Sequence, residues 1–232
     1  MTSHIHELAR LALNKALEVR ESAGLDDESP ICVYELCAKL NIRVVFDANP
    51  SMEGMYKAGV RPEIALSSMR PLARRVFTCG HELGHHAFGH GSSIDELRDE
   101  ADAVFQPNEF LANTFSAFVL MPQLGLRNAF RMRHWHIKAA TPMQVFAVAC
   151  HFGVGYETLA NHLGHGLKEI SPARVKELVK TKLPVIRRAL LGHSSDQPLL
   201  VADRHYQRPT LDAEVGTQIQ PFQGGSNLNN FA

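Results

Sequence analysis

Between Pro71 and Gly89 the chain reads PLARRVFTCGHELGHHAFG, a helical run with glycines in its interior, and His81, His85, His86 and His90 fall within ten positions. At about 100° per residue, His81 and His85 lie about 40° apart on one face, one turn from each other, where both can ligate one ion. Glu82 lies beside them, whereas His86 and His90 come about 140° and 180° round from His81 and are assigned to another side of the helix. His-Glu-x-x-His is the pattern in which two neutral imidazoles bind zinc and the intervening glutamate deprotonates a water. By itself it decides little, because a shuffled chain with 13 histidines contains it about one time in twenty. Gly84, between the two histidines, leaves room for close backbone packing.

A catalytic zinc takes three protein ligands and keeps one position open, so a further donor must come from elsewhere. In EFLANTFSAFVLMP nearly everything is apolar, and Glu109, Asn113 and Ser116 form one narrow polar stripe. A carboxylate on a helix buried on most sides needs a partner, and a cation would supply it. Glu109 is therefore chosen as third ligand. Asp95, Glu96, Asp99, Glu100 and Asp102 compete by position alone, but their dense charge favours solvent.

The 232 residues are enough to bury a core without metal or disulfide staples, and 24 basic residues balance 24 acidic ones. The molecule as a whole has no electrostatic attraction for a phosphate backbone, so direct nucleic-acid binding is not expected. No secretory leader and no apolar stretch long enough to span a membrane is apparent, which predicts a cytoplasmic protein. Cys32, Cys37, Cys79 and Cys150 form no C-x-x-C pair and read as reduced, buried hydrophobes.

Two helices open the chain, followed by a strand at IRVVF and a hairpin or small meander around Gly59 and Pro62. After the histidine helix, Ser93 and Glu96 suggest a capping box for a helix over IDELRDEADAVF. A further helix runs to Met121-Pro122, and residues 142–164 read as two helices joined at FGVG. Residues 165–190 form a basic arm with a helix start at Ser171-Pro172, LLVAD and EVGTQIQPF read as late strands, and the last residues as a loose tail.

RRVFTCGHELGHHAFGHG followed by EFLANTFSAFVLMP resembles the ImmA/IrrE metallopeptidases, whose FT-x-x-HELGH helix is followed by E-x-x-A-N-x-F-[AS]-A running into LMP. The resemblance is specific over these helices and looser from about residue 30 to 164. It implies an α+β fold: a helix-rich, zincin-like metallopeptidase core with a small β-sheet in residues 1–164, plus a C-terminal extension over 165–232. It also implies His81, His85 and Glu109 as Zn2+ ligands (Mn2+ being the alternative ion), Glu82 as general base and Asn113 as a group supporting the ligands. The implied activity is a soluble zinc metalloprotease acting on a regulatory protein, in particular a helix-turn-helix transcriptional repressor. Leu111, where many relatives carry an acidic residue, departs from the pattern, as does the lack of an obvious DNA-binding segment at the N-terminus.

Two other readings compete. One is a zinc-bound, non-proteolytic sensor or scaffold, for which Glu82 would be expendable. The other is a DNA-binding regulator using residues 142–164, although YETLANHL offers no Arg or Lys to read bases or hold phosphates. For the oxyanion of a peptidase, Tyr56, His86, His134, His136, His151 and Tyr156 are all chemically able donors.

Overall fold

The computed structural model describes residues 2–96, 106–206 and 218–221, and the chain divides into two compact units between Pro122 and Gln123. The first unit begins with α1 (Thr2–Ser22), whose buried Leu8, Ala12, Ala16 and Val19 recur at helical spacing. After α2 (Val33–Lys39) the chain turns through Asn41 at φ 59°, a left-handed conformation that asparagine tolerates well. It then enters β1 (Arg43–Asp47), β2 (Met52–Lys57) and β3 (Glu63–Ser67).

β2 and β3 form the expected antiparallel hairpin, and β1 pairs parallel with β3. This makes β3 an interior strand, consistent with full burial of Ile64 and Leu66. The histidine helix, α3 (Leu72–Phe88), follows Pro71 and stops at Gly89, which adopts φ 65° and donates its N–H back to the last turn. Buried Glu53 on β2 receives Arg70 at 2.9 Å and Arg74 at 3.0 Å, tying the sheet to the start of this helix.

The capping box expected at Ser93 and Glu96 does not form. Ser93–Glu96 is instead a strand, β4, paired antiparallel with β2 and completing the order β1-β3-β2-β4. The free edge of β2 offers these residues ladder hydrogen bonds that outweigh a local helix signal. Residues 97–105, the rest of that expected helix, lie outside the described residues.

Gln106 then leads into α4 (Pro107–Leu120), with Pro107 in its first turn. This helix packs on both α1 and α3. Fully buried Arg20 joins these elements: it donates to the carbonyl of Val119 at 2.6 Å and to those of Asp26 and Ser29, each at 2.8 Å. A cation at the last carbonyls of α4 also suits the helix dipole.

The second unit comprises α5 (Gln123–Met132), a 3-10 turn at Ile137–Ala139, α6 (Pro142–His151) and α7 (Tyr156–Asn161) running into a π turn at His162–Gly166. α8 (Pro172–Lys180) and α9 (Leu183–Leu191) follow, and β5 (Leu199–Ala202) pairs parallel with β6 (Gln218–Pro221). The late strands and the Ser171 helix start appear where expected, with Ser171 accepting from Arg174 N–H. The end of the chain, including the expected loose tail, lies outside the described residues.

In α7, Tyr156, Leu159 and Ala160 are buried, and Tyr156 donates to the Leu178 carbonyl of α8 at 2.7 Å. The helix–turn–helix at residues 142–164 is thus largely a packing unit. Arg133 and Asp203 form a two-armed ion pair at 2.5 and 2.9 Å and are both buried, so each satisfies the other's charge. All four cysteines are buried and none is in a disulfide, and among the described residues no helix is long and apolar enough to cross a membrane.

Candidate metal centre

Glycine is a poor helix former, and α3 has two, at positions 80 and 84, both turned toward α4. A Cβ at Gly84 would stand 2.8 Å from Cα of Ala112, and one at Gly80 would stand 2.5 Å from Oγ of Ser116. The helices therefore meet backbone to backbone, and this closeness carries Glu109, three residues before Ala112, to the two histidines.

His81 Nε2 and His85 Nε2 are 3.0 Å apart, and the Glu109 carboxylate oxygens lie 3.3 Å from the first and 3.5 Å from the second. A tetrahedral ion bonded to nitrogen and oxygen at about 2.0–2.1 Å separates its ligand atoms by roughly 3.3–3.4 Å. The three side chains fit such an ion and form a group able to hold a metal.

The outer nitrogens support this. His81 Nδ1 lies 3.1 Å from Oδ1 of Asn113, an acceptor, so the ring proton sits on Nδ1 and Nε2 presents a lone pair. His85 Nδ1 lies 3.1 Å from Nδ1 of His90. Burial first, and His81 beside it second, lower the pKa of His85 to about 4, so it is neutral at physiological pH. With the His85 proton on Nδ1, two lone pairs and a carboxylate converge on one point, an arrangement that a cation relieves.

His90 is thus not where a continuous helix would put it. The left-handed turn at Gly89 ends α3 and folds the next residue back against His85, with the His90 ring stacked on Phe88. Helical angles do not apply beyond that glycine, which is why the 180° expectation fails. His86 does diverge: its Nδ1 lies 2.8 Å from the Tyr56 hydroxyl, pairing two of the oxyanion candidates with each other.

Glu82 is fully buried, and its Oε2 accepts from Ser93 Oγ at 3.0 Å. On its other side β2 passes at Gly54, where a Cβ would stand 2.7 Å from Glu82 Oε1 and 2.5 Å from Thr78 Cγ2. A side chain at position 54 and the carboxylate cannot share that space. Of the competing acids, Asp95 and Glu96 lie on β4, whereas Asp99, Glu100 and Asp102 lie outside the described residues. Sequence reasoning did not single out Gly54 or the contact of Ser93 with Glu82, and it left His90 open between lining, orientation and solvation, with only the glycine after the helix hinting at its contact with His85.

The sequence model of the IrrE N-terminal-like domain, an M78 peptidase family, matches residues 37–163, more than half of the chain. The chain belongs to this family. α1 lies ahead of the matched region, and the basic arm follows it. The match crosses the division between the two compact units and ends close to residue 164, where the composition changes. The "Uncharacterized immunity region protein 2" of Bacillus phage phi105 is 31% identical over 91 residues, which cover 38% of this chain. The chain spans 58% of the length of that relative. The protein thus belongs to a peptidase family, has an α+β architecture, and carries two buried histidines and a half-buried glutamate that together could hold a metal.

Proposed function

We propose that the protein is a zinc metalloendopeptidase that cuts a regulatory protein, with a helix-turn-helix repressor as the substrate. The observation that carries this reading is the triangle of His81, His85 and Glu109 donor atoms, set beside a buried glutamate. Two imidazoles and a carboxylate are a zinc donor set; manganese tolerates the same ligands but favours more oxygen. The substrate class rests on the relative's designation as an immunity-region protein.

When bound, such an ion polarises a peptide carbonyl and acidifies water. Glu82 supplies the proton traffic: its carboxylate takes a proton from water and returns it to the leaving amine, while Ser93 keeps Oε2 oriented. Asn113 and His90 hold the imidazoles through their outer nitrogens. Packing through Gly80 and Gly84 excludes water from the inner side of the site.

The test compares wild type, Glu82→Gln and Glu109→Gln for bound zinc and for cleavage of the repressor encoded beside the gene. Glu82→Gln should retain wild-type zinc and lose cleavage by about 10²-fold or more, while Glu109→Gln should lose both. Full cleavage by Glu82→Gln would sink the mechanism. Zinc bound by wild type without cleavage would favour the sensor or scaffold.

A further inference from the structure

β1 and β4 are the outer strands of the four-stranded sheet. β4 touches Glu82 through Ser93, so β1 forms the edge opposite the metal group. Its ladder with β3 uses alternate residues: Arg43 donates its N–H to the Pro62 carbonyl at 3.0 Å, and the Asp47 carbonyl accepts from Ser68 N–H at 2.7 Å. By that alternation Val45 also faces β3, while the N–H and C=O groups of Val44 and Phe46 point out of the sheet, where no strand meets them among the described residues. An edge of this kind, carrying Val-Val-Phe, is a template for a further strand.

The side chains say which strand. Val44 and Phe46 share one face, where the Phe46 ring meets Tyr34 edge-on at 5.6 Å and carries the Arg75 guanidinium at 4.9 Å, yet Phe46 stays 50% exposed. Arg43, Val45 and Asp47 share the other face. Arg43 lies 3.2 Å from Glu63 on β3, but its side chain is 74% exposed and a guanidinium has donors to spare. The Asp47 carboxylate accepts from Asn49 N–H at 2.8 Å and is also exposed.

A basic residue at one end of an edge strand and an acidic one at the other ordinarily repel a passing strand of the wrong charge. Set antiparallel against a second β1 and centred on Val45, the same residues become complementary. Arg43 then opposes the partner's Asp47 at both ends, Val45 opposes the partner's Val45, and Val44 opposes the partner's Phe46. Val44 and Phe46 are also the residues whose outward backbone groups need partners, so this register satisfies the charges and the hydrogen bonds together. Sliding by two residues either way sets Arg43 or Asp47 against the partner's Val45 instead.

We propose that β1 is a homodimer interface, pairing antiparallel with β1 of a second copy about a twofold axis at Val45 and joining the two sheets into one. The opposite edge, with Ser93 and Glu82, stays outside the contact. The proposal does not depend on the peptidase reading, because its readout is association alone.

The experiment follows sedimentation of the full-length protein from about 1 to 300 µM, since strands of five residues make an interface at the weak end of the range. A concentration-dependent dimer is expected. Arg43→Glu and Asp47→Lys should each weaken it about tenfold by setting like charges opposite one another at both ends. An equimolar mixture of the two variants should return association to within about threefold of wild type, because the exchanged charges again oppose each other correctly. Arg43→Glu also breaks the pair with Glu63, so a second measurement leaves both charges in place. Under oxidised glutathione, Val45→Cys should form an intermolecular disulfide, as residues directly opposite in such a pair lie about 4.5 Å apart at Cα. Val60→Cys, at a fully exposed position in the turn between β2 and β3, is the control and should cross-link far more slowly. A protein that stays monomeric throughout overturns the proposal. So does a dimer that the mixture fails to restore, or one in which Val45→Cys cross-links no faster than Val60→Cys.

Discussion

Replacing Gly84 by alanine tests whether helix proximity builds the metal centre. The added Cβ would meet Ala112 Cα at 2.8 Å, the Ala112 carbonyl oxygen at 3.1 Å and the Ala112 Cβ at 3.2 Å. Carbon atoms pack at about 3.5–4.0 Å, so α4 must retreat by roughly 0.8 Å, and no rotamer change can relieve a clash with backbone. Overpacking costs about 1–3 kcal/mol, while exchanging glycine for alanine inside a helix returns about 1 kcal/mol. Net destabilisation should thus be about 0–2 kcal/mol. Glu109 moves with α4, and its present 3.3 and 3.5 Å separations from the histidine nitrogens would open toward about 4 Å, beyond the roughly 0.2 Å a metal site tolerates. Zinc affinity should fall at least tenfold, about 1.4 kcal/mol. Urea unfolding and chelator competition measure the two effects. Gly80→Ala is the control, because it meets the Ser116 hydroxyl, which can rotate away after giving up its bond to the Phe77 carbonyl. A Gly84→Ala protein that is more stable than wild type and binds zinc equally well would refute the reasoning.

Three other perturbations follow from single residues. His90→Ala should weaken zinc binding by about 10–100-fold with the fold intact, and His90→Gln, whose amide oxygen can accept from His85, should recover part of it; equal affinities in competition assays would exclude an orienting role. Arg20→Met should cost about 3–5 kcal/mol in denaturant unfolding, since it strips the carbonyls of Val119, Asp26 and Ser29 of their donor; a loss below about 1 kcal/mol would contradict this. His151 is buried, and burial first, with Arg133 next, lowers its pKa to about 4, against an unfolded value near 6.5. Its depressed folded pKa means the contribution is complete above 6.5 and is lost as pH falls toward 4, about 2 kcal/mol of it by pH 5. Relative to wild type, His151→Gln should flatten stability between pH 6.5 and 4, and unchanged slopes would count against that assignment.

The residues legible from sequence were those whose meaning is local or periodic. His81, Glu82 and His85 follow from helical spacing, and Glu109 with Asn113 from a polar stripe on an apolar helix. The parallel pairing of β1 with β3 was hidden, because register between distant segments leaves no mark in either strand alone. Ser93–Glu96 was misread for a related reason: its helix signal is local, while the edge of β2 that claims it lies nearly forty residues earlier. Arg20 gave no warning either, since an arginine on an amphipathic helix ordinarily faces water. His90 needed knowledge of where α3 ends before its five-residue offset from His85 had geometric meaning.

Glu82 belongs to a helix, yet its carboxylate is fixed by the sheet, through the hydroxyl of Ser93 on β4 and the absent side chain of Gly54 on β2. A displacement of the outer strand therefore reaches Glu82 without passing through either imidazole. On the proposed roles of these residues, retaining an ion and readying the base would be mechanically separate tasks, so a change in the outer strand would silence the chain without demetallating it.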